Sequence, residues 1–222
     1  MIPQSPPAHR ALLSTIGAAG MAATLLLFGA QGFLQAGGAE PAFDADAAEI
    51  QTFFDTRGPE LFSAGAYVSL LGLVAFLWFL GGVHALLRHS EEPQAWRSAI
   101  ALVSGVVFVS TVITSGWELA AIRVEDGLDP QLARFAFDMG NLWFATSWMA
   151  LGSFALATGW VILSSRVLPH WLGWWAVIAG TGLVAARAVW TTPLWFFPYA
   201  LFWLWVIALS VRCLRRRTSA RA

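Results

Sequence analysis

Six apolar runs divide the chain, at residues 11–34, 62–87, 98–119, 141–164, 171–192 and 194–211. A helix of ~20 apolar residues, rising 1.5 Å per residue, covers the ~30 Å hydrocarbon layer of a bilayer. The pattern therefore predicts an all-α fold, a polytopic bundle of six transmembrane helices. Arg10 ahead of the first run and small residues at Ala36–Ala39 imitate a cleavable leader. The apolar stretch is longer than the ~7–15 residues at the centre of such leaders, so it reads as a retained first helix. Thr192-Pro193 alone separates the last two runs, which predicts a tight hairpin.

The polar segments carry patterns of their own. In the acidic loop 35–61, Phe43, Ala47, Ile50, Phe53 and Phe54 recur at helical spacing, with Asp44, Asp46, Glu49 and Asp55 on other faces. That is an amphipathic surface helix, and without a basic face it suits capping the bundle better than binding anionic lipid. Asp129-Pro130 has the form of an N-cap followed by proline at the first helical position. A stub through Leu132, Phe135 and Ala136 would lead into the fourth span, with Gly140 as a bend.

Arginine sets the expected direction of threading, because basic residues beside spans stay in the cytoplasm. With residues 1–10 and 212–222 as cytoplasmic tails, nine arginines fall inside: Arg10, Arg88, Arg97, Arg166, Arg212, Arg215, Arg216, Arg217 and Arg221. Four fall outside, at Arg57, Arg123, Arg134 and Arg187. Of the acidic residues, only Glu91 and Glu92 fall inside. Trp96, Trp117, Trp143, Trp171 and Trp190 sit near span ends, where an indole keeps its ring in apolar surroundings and its N–H near water.

Composition agrees with lipid as the solvent: 58% of residues are hydrophobic and 12% charged, where soluble domains carry about 25% charge. A net charge of zero gives no reason to expect a nucleic-acid partner. The basic set is all arginine, and without lysine a retinal Schiff base is excluded. The single cysteine, Cys213, rules out an internal disulfide. His84, His89 and His170 fall near the cytoplasmic interface without ligand-pair spacing, so no metal or cofactor is expected.

Candidate chemistry rests on polar residues inside spans, where each costs at least ~2.5–3.5 kcal/mol at mid-membrane. Arg187 follows Gly173 and Gly180 at seven-residue intervals, a small-residue face that turns toward neighbouring helices. Ser104, Thr111 and Glu118 form a matching stripe in the third span, flanked by Thr114 and Ser115. Asp138 and Asn141 open the fourth span at similar depth. These positions predict an outward-facing cluster of Arg187, Glu118, Asp138 and Asn141, with Gln31 and Tyr199 as additions. It would serve as a salt bridge locking spans three, four and five, as a pocket for a small polar or anionic ligand, or as a proton-coupled group. No catalytic arrangement is visible: a nucleophile, paired acids or a metal set at reactive depth are all missing.

One stretch resembles a group of small bacterial membrane proteins with six helices, classed as a domain of unknown function. It is Arg166-Val167-Leu168-Pro169-His170-Trp171-Leu172-Gly173-Trp174-Trp175, with a Leu-Pro-x-Trp-Leu-Gly signature leading into an apolar helix. The resemblance implies a multi-pass protein of the bacterial cytoplasmic (inner) membrane and supplies no activity. The expected function is a non-enzymatic subunit of a membrane complex or a small binding or sensory protein, with the lipid bilayer and other membrane subunits as partners. The alternative is a small transporter that binds a polar or anionic ligand around Arg187.

Overall fold

A computed structural model describes residues 6–36, 38–91, 95–113 and 116–219. Glu92, Thr114, Ser115 and Arg221 lie outside the described residues. The elements are α1 (Pro6–Ala36), α2 (Ala47–Arg88), α3 (Trp96–Ile113), α4 (Trp117–Glu125), α5 (Pro130–Ser165), α6 (His170–Ala186) and α7 (Phe196–Ser219). Short 3-10 turns, Arg187–Val189 and Pro193–Trp195, form the hairpin between α6 and α7. Six helical segments are long and apolar enough to cross a membrane, the third of them made of α3 and α4 together.

The long helices close into a ring in which each packs on the next: α1 on α2, α2 on α3, α3 on α5, α5 on α6, α6 on α7, and α7 back on α1. α2 also touches α5 across the middle. The rings of Phe76, Phe79, Phe108 and Phe154 meet there, with Phe76 5.5 Å from Phe108 and 6.1 Å from Phe154. Small residues permit helices to approach closely and so decide where they meet. The small-residue face of α6 does this against α5: Gly180 lies on Gly152, and Gly173 on Gly159. Large apolar side chains such as Leu25, Trp78, Val103, Ile178 and Phe197 are exposed on the outside of the ring.

The start of α1 and the end of α7 lie at one end of the bundle, where Gly17 of α1 abuts Leu214 of α7. Here Glu91, buried among its neighbours, caps α3. Its Oε1 accepts from the backbone N–H and Nε of Arg97, and its Oε2 accepts from the N–H of Ser98. Arg97 also donates to Ser164 Oγ of α5 at 3.2 Å and lies 5.2 Å from the Trp160 ring, tying α3 to α5.

The opposite end, which carries the 38–46 loop, holds a second small core of Ile50, Phe53, Phe54, Phe62, Ala120, Ala121, Val124, Ala133 and Phe137. The expected amphipathic helix is there, capped by Asp46, whose side chain accepts from the N–H of Glu49. It is not a separate surface element. It runs into the second span through Gly58, whose φ of 67° and ψ of 163° are open to glycine, ahead of Pro59. Asp129 caps α5 by accepting from Gln131 N–H, as its sequence suggests. The bend expected at Gly140 is absent, because α5 is continuous there. Gly140 instead leaves room for the Trp117 indole, which stacks on Phe137 at 5.3 Å.

Candidate functional site

Between α1, α2, α3, α4, α5 and the start of α7, at the loop end, lies a cavity of ≈ 500 Å³. Its lining changes character with depth. Gln31 and Gln35 of α1, Glu40 of the loop, Glu118 of α4 and Asn141 of α5 supply polar groups toward the loop end. Leu27, Leu73 and Phe108 line the deeper part, with Ser69 and Thr111 between. Phe62 and Leu73 both line it from α2, eleven residues apart, so the cavity reaches ~16 Å along that helix at 1.5 Å per residue. One wall is aromatic: Phe144, Trp195 and Tyr199 pack edge to face with centroids 5.3–5.9 Å apart.

Of the four site residues expected from sequence, the cavity brings together Glu118 and Asn141, and the additions Gln31 and Tyr199 join them. Asn141 donates from Nδ2 to the Phe137 carbonyl of its own helix at 3.2 Å. Asp138 is outside the lining and pairs with Arg134 one turn earlier, Oδ2 to Nε at 3.9 Å. Arg187 does not join the cluster. It opens the 3-10 turn after α6, half-buried, with its guanidinium 5.7 Å from the Trp190 ring centroid. It forms no ion pair among the described residues. The reason is the order of helices in the ring: α6 packs on α5 and α7, so α5 separates Arg187 from α3 and α4. The expected lock of spans three, four and five through Arg187 is therefore absent. What joins α3 to α5 at mid-helix is Ser104 Oγ to Ser153 Oγ, 2.8 Å.

Two residues of this region were missed by the sequence reading. Arg57, 9% exposed, spans the base of the loop, donating from Nη2 to the carbonyls of Gly38 (2.6 Å) and Ala39 (3.2 Å) while its guanidinium lies 4.0 Å over the Phe53 ring. That grip orders the segment bearing Glu40. Partial burial raises the Glu40 pKa from its ordinary value, and the positive charge of Arg57 opposes the shift. Glu40 is one acid among many in an acidic loop, and only the fold turns it toward the cavity.

Among the described residues no group of three or more His, Cys, Asp and Glu side chains is placed to hold a metal ion. No protein-family model, no curated protein and no solved structure matches the chain.

Proposed function

We propose that this chain is a multi-pass protein of the bacterial cytoplasmic membrane, with both termini in the cytoplasm, whose cavity binds a small amphipathic molecule from the outer leaflet side. The observation that carries the reading is the polarity gradient of the lining, from Gln35, Glu40, Glu118 and Asn141 down to Leu27, Leu73 and Phe108. Placed with the arginine-poor end outward, as the basic residues require, the polar half of the cavity sits at headgroup depth and its apolar half within hydrocarbon. A volume near 500 Å³ falls within the range of small-molecule sites, which are largely apolar with a few placed polar groups. Binding is favoured over transport because the cavity meets the buried rings of Phe76, Phe79 and Phe154 beyond Leu73 and Phe108, with no polar lining continuing toward the terminal end.

The reading is tested by filling the space. Ala66 lines the cavity from α2, and Ala66→Phe adds a ring where the wild type has open volume. Native mass spectrometry of protein purified in mild detergent should detect a retained amphiphile on the wild type and less than a tenth as much on the variant. Equal retention by both proteins would sink the assignment of the cavity as the binding site.

A further inference from the structure

The ligand class follows from the balance of charge around the cavity, an inference that rests on the binding reading above. Asp126, Asp138 and Glu40, at this end of the bundle, each face a basic partner. Arg123 Nη1 meets Asp126 Oδ2 at 3.0 Å, Arg134 meets Asp138 at 3.9 Å, and Glu40 feels the charge of Arg57. Glu118 has no ion pair among the described residues and lines the cavity. Among the described residues that line it there is no arginine or histidine. Arg57 offsets Glu40 while donating to the carbonyls of Gly38 and Ala39, which leaves Glu118, and Arg187 lies on the face of Trp190 beyond α5.

We infer that the cavity selects a hydrophobic monocation, an amphiphile with an ammonium-like head held against Glu118 and an apolar body directed toward Leu73 and Phe108. Two independent features of the lining agree on the sign. The Glu118 carboxylate attracts positive charge and repels negative charge, more strongly here than in bulk water because the surrounding protein excludes solvent. The second feature is the aromatic wall of Phe144, Trp195 and Tyr199, together with Trp117 and Trp143. Ring faces carry negative potential, and aromatic linings are a recurrent way to hold quaternary ammonium groups. The amide oxygens of Gln31 and Asn141 add acceptors for N–H donors, whereas a carboxylate or phosphate ligand would meet no cation in the lining. This differs from the polar or anionic ligand expected around Arg187.

Tetraphenylphosphonium and tetraphenylborate make the test, because they share size and shape and differ in the sign of charge; triphenylmethanol is the neutral control. Each is dialysed to equilibrium against the full-length protein in phosphatidylcholine nanodiscs, with empty nanodiscs subtracted. Tetraphenylphosphonium should bind saturably at one site per chain, at least tenfold more tightly than triphenylmethanol, and tetraphenylborate should show no saturable binding. Glu118→Gln should weaken the cation at least tenfold while leaving triphenylmethanol unchanged, and Glu118→Asp should restore most of the affinity. Protection of Cys213 from a thiol reagent verifies that each variant is folded. If triphenylmethanol or tetraphenylborate binds as well as the cation, and Ala66→Phe abolishes that binding, the charge inference is overturned and the cavity reading stands. If none of the three binds saturably to the wild type, both are overturned.

Discussion

The contact between α5 and α6 gives the sharpest prediction about stability. A Cβ built on Gly152 would lie 2.8 Å from the carbonyl oxygen of Gly180 and 2.8 Å from Val184 Cγ2. The carbonyl belongs to helix backbone, so the clash is relieved by parting the helices rather than by rotating a side chain. Overpacking of this kind costs about 1–3 kcal/mol. The opposing gain, ~0.5–1 kcal/mol for replacing a mid-helix glycine by alanine, is common to any such position. Gly29 of α1 supplies the reference, since its Cβ would meet nothing within 4 Å. The difference between Gly152→Ala and Gly29→Ala thus isolates the contact, at about 1–3 kcal/mol, or roughly 2–12 °C in melting temperature for a chain of this size. Cys213, the single cysteine and fully buried, is a built-in reporter: a thiol-reactive dye labels it only as the bundle opens. Gly152→Ala should therefore label at lower temperature than the wild type, and Gly29→Ala at the same or a higher one. If the two variants melt together, glycine proximity is not what holds α5 against α6.

Two further outcomes follow from the two ends of the bundle. Burial pushes the Glu91 pKa up, but the hydrogen bonds from Arg97 and Ser98 prevail and hold it below the ordinary glutamate value. Its ionised form therefore stabilises the fold above that ordinary value, and the contribution is lost as pH falls through the lowered folded value. Glu91→Gln should melt lower than the wild type at pH 7, by about 1–3 kcal/mol for the weakened cap and charged hydrogen bonds, with the gap narrowing at acid pH; a gap that stays constant would contradict the assignment. In a Cys213→Ala background, a membrane-impermeant maleimide should label Asp44→Cys in intact cells, and Ser219→Cys only after permeabilisation. Labelling of both in intact cells would refute the threading.

Local signals carried most of the fold into the sequence. The Asp129 cap depends on residues a few positions apart, as does the repeating Gly173–Gly180 face of α6, and each is found in the structure. The features that escaped notice are set by distant partners. Gly140 looks like a bend because glycine weakens a helix, yet its missing Cβ serves the Trp117 indole that α4 brings from 23 residues earlier. Gly58-Pro59 was readable as a break, but the apolar period runs across it, with Ile50, Phe53 and Phe54 before and Phe62 after all entering one core. Glu91 seemed an ordinary loop acid until its carboxylate met the first N–H groups of α3.

The candidate site shows why position along the bundle axis is an insufficient guide to proximity. Arg187, Glu118, Asp138 and Asn141 all fall toward the same end of the bundle, where an arginine invites a carboxylate partner. Depth fixes one coordinate; the order of helices around the ring fixes the others, and that order depends on packing surfaces such as Gly152 on Gly180 that draw α6 to the far side of α5. The consequence is more than a misplaced residue, because without Arg187 the cluster holds no cation. Glu118 and Asn141 remain, Glu40 joins from a loop ordered by Arg57, and a pocket imagined as an anion site becomes one whose lining bears carboxylates and aromatic rings. The charge of the cavity lining is thus decided by which helix lies between two side chains, a property of the whole bundle and of no single segment of it.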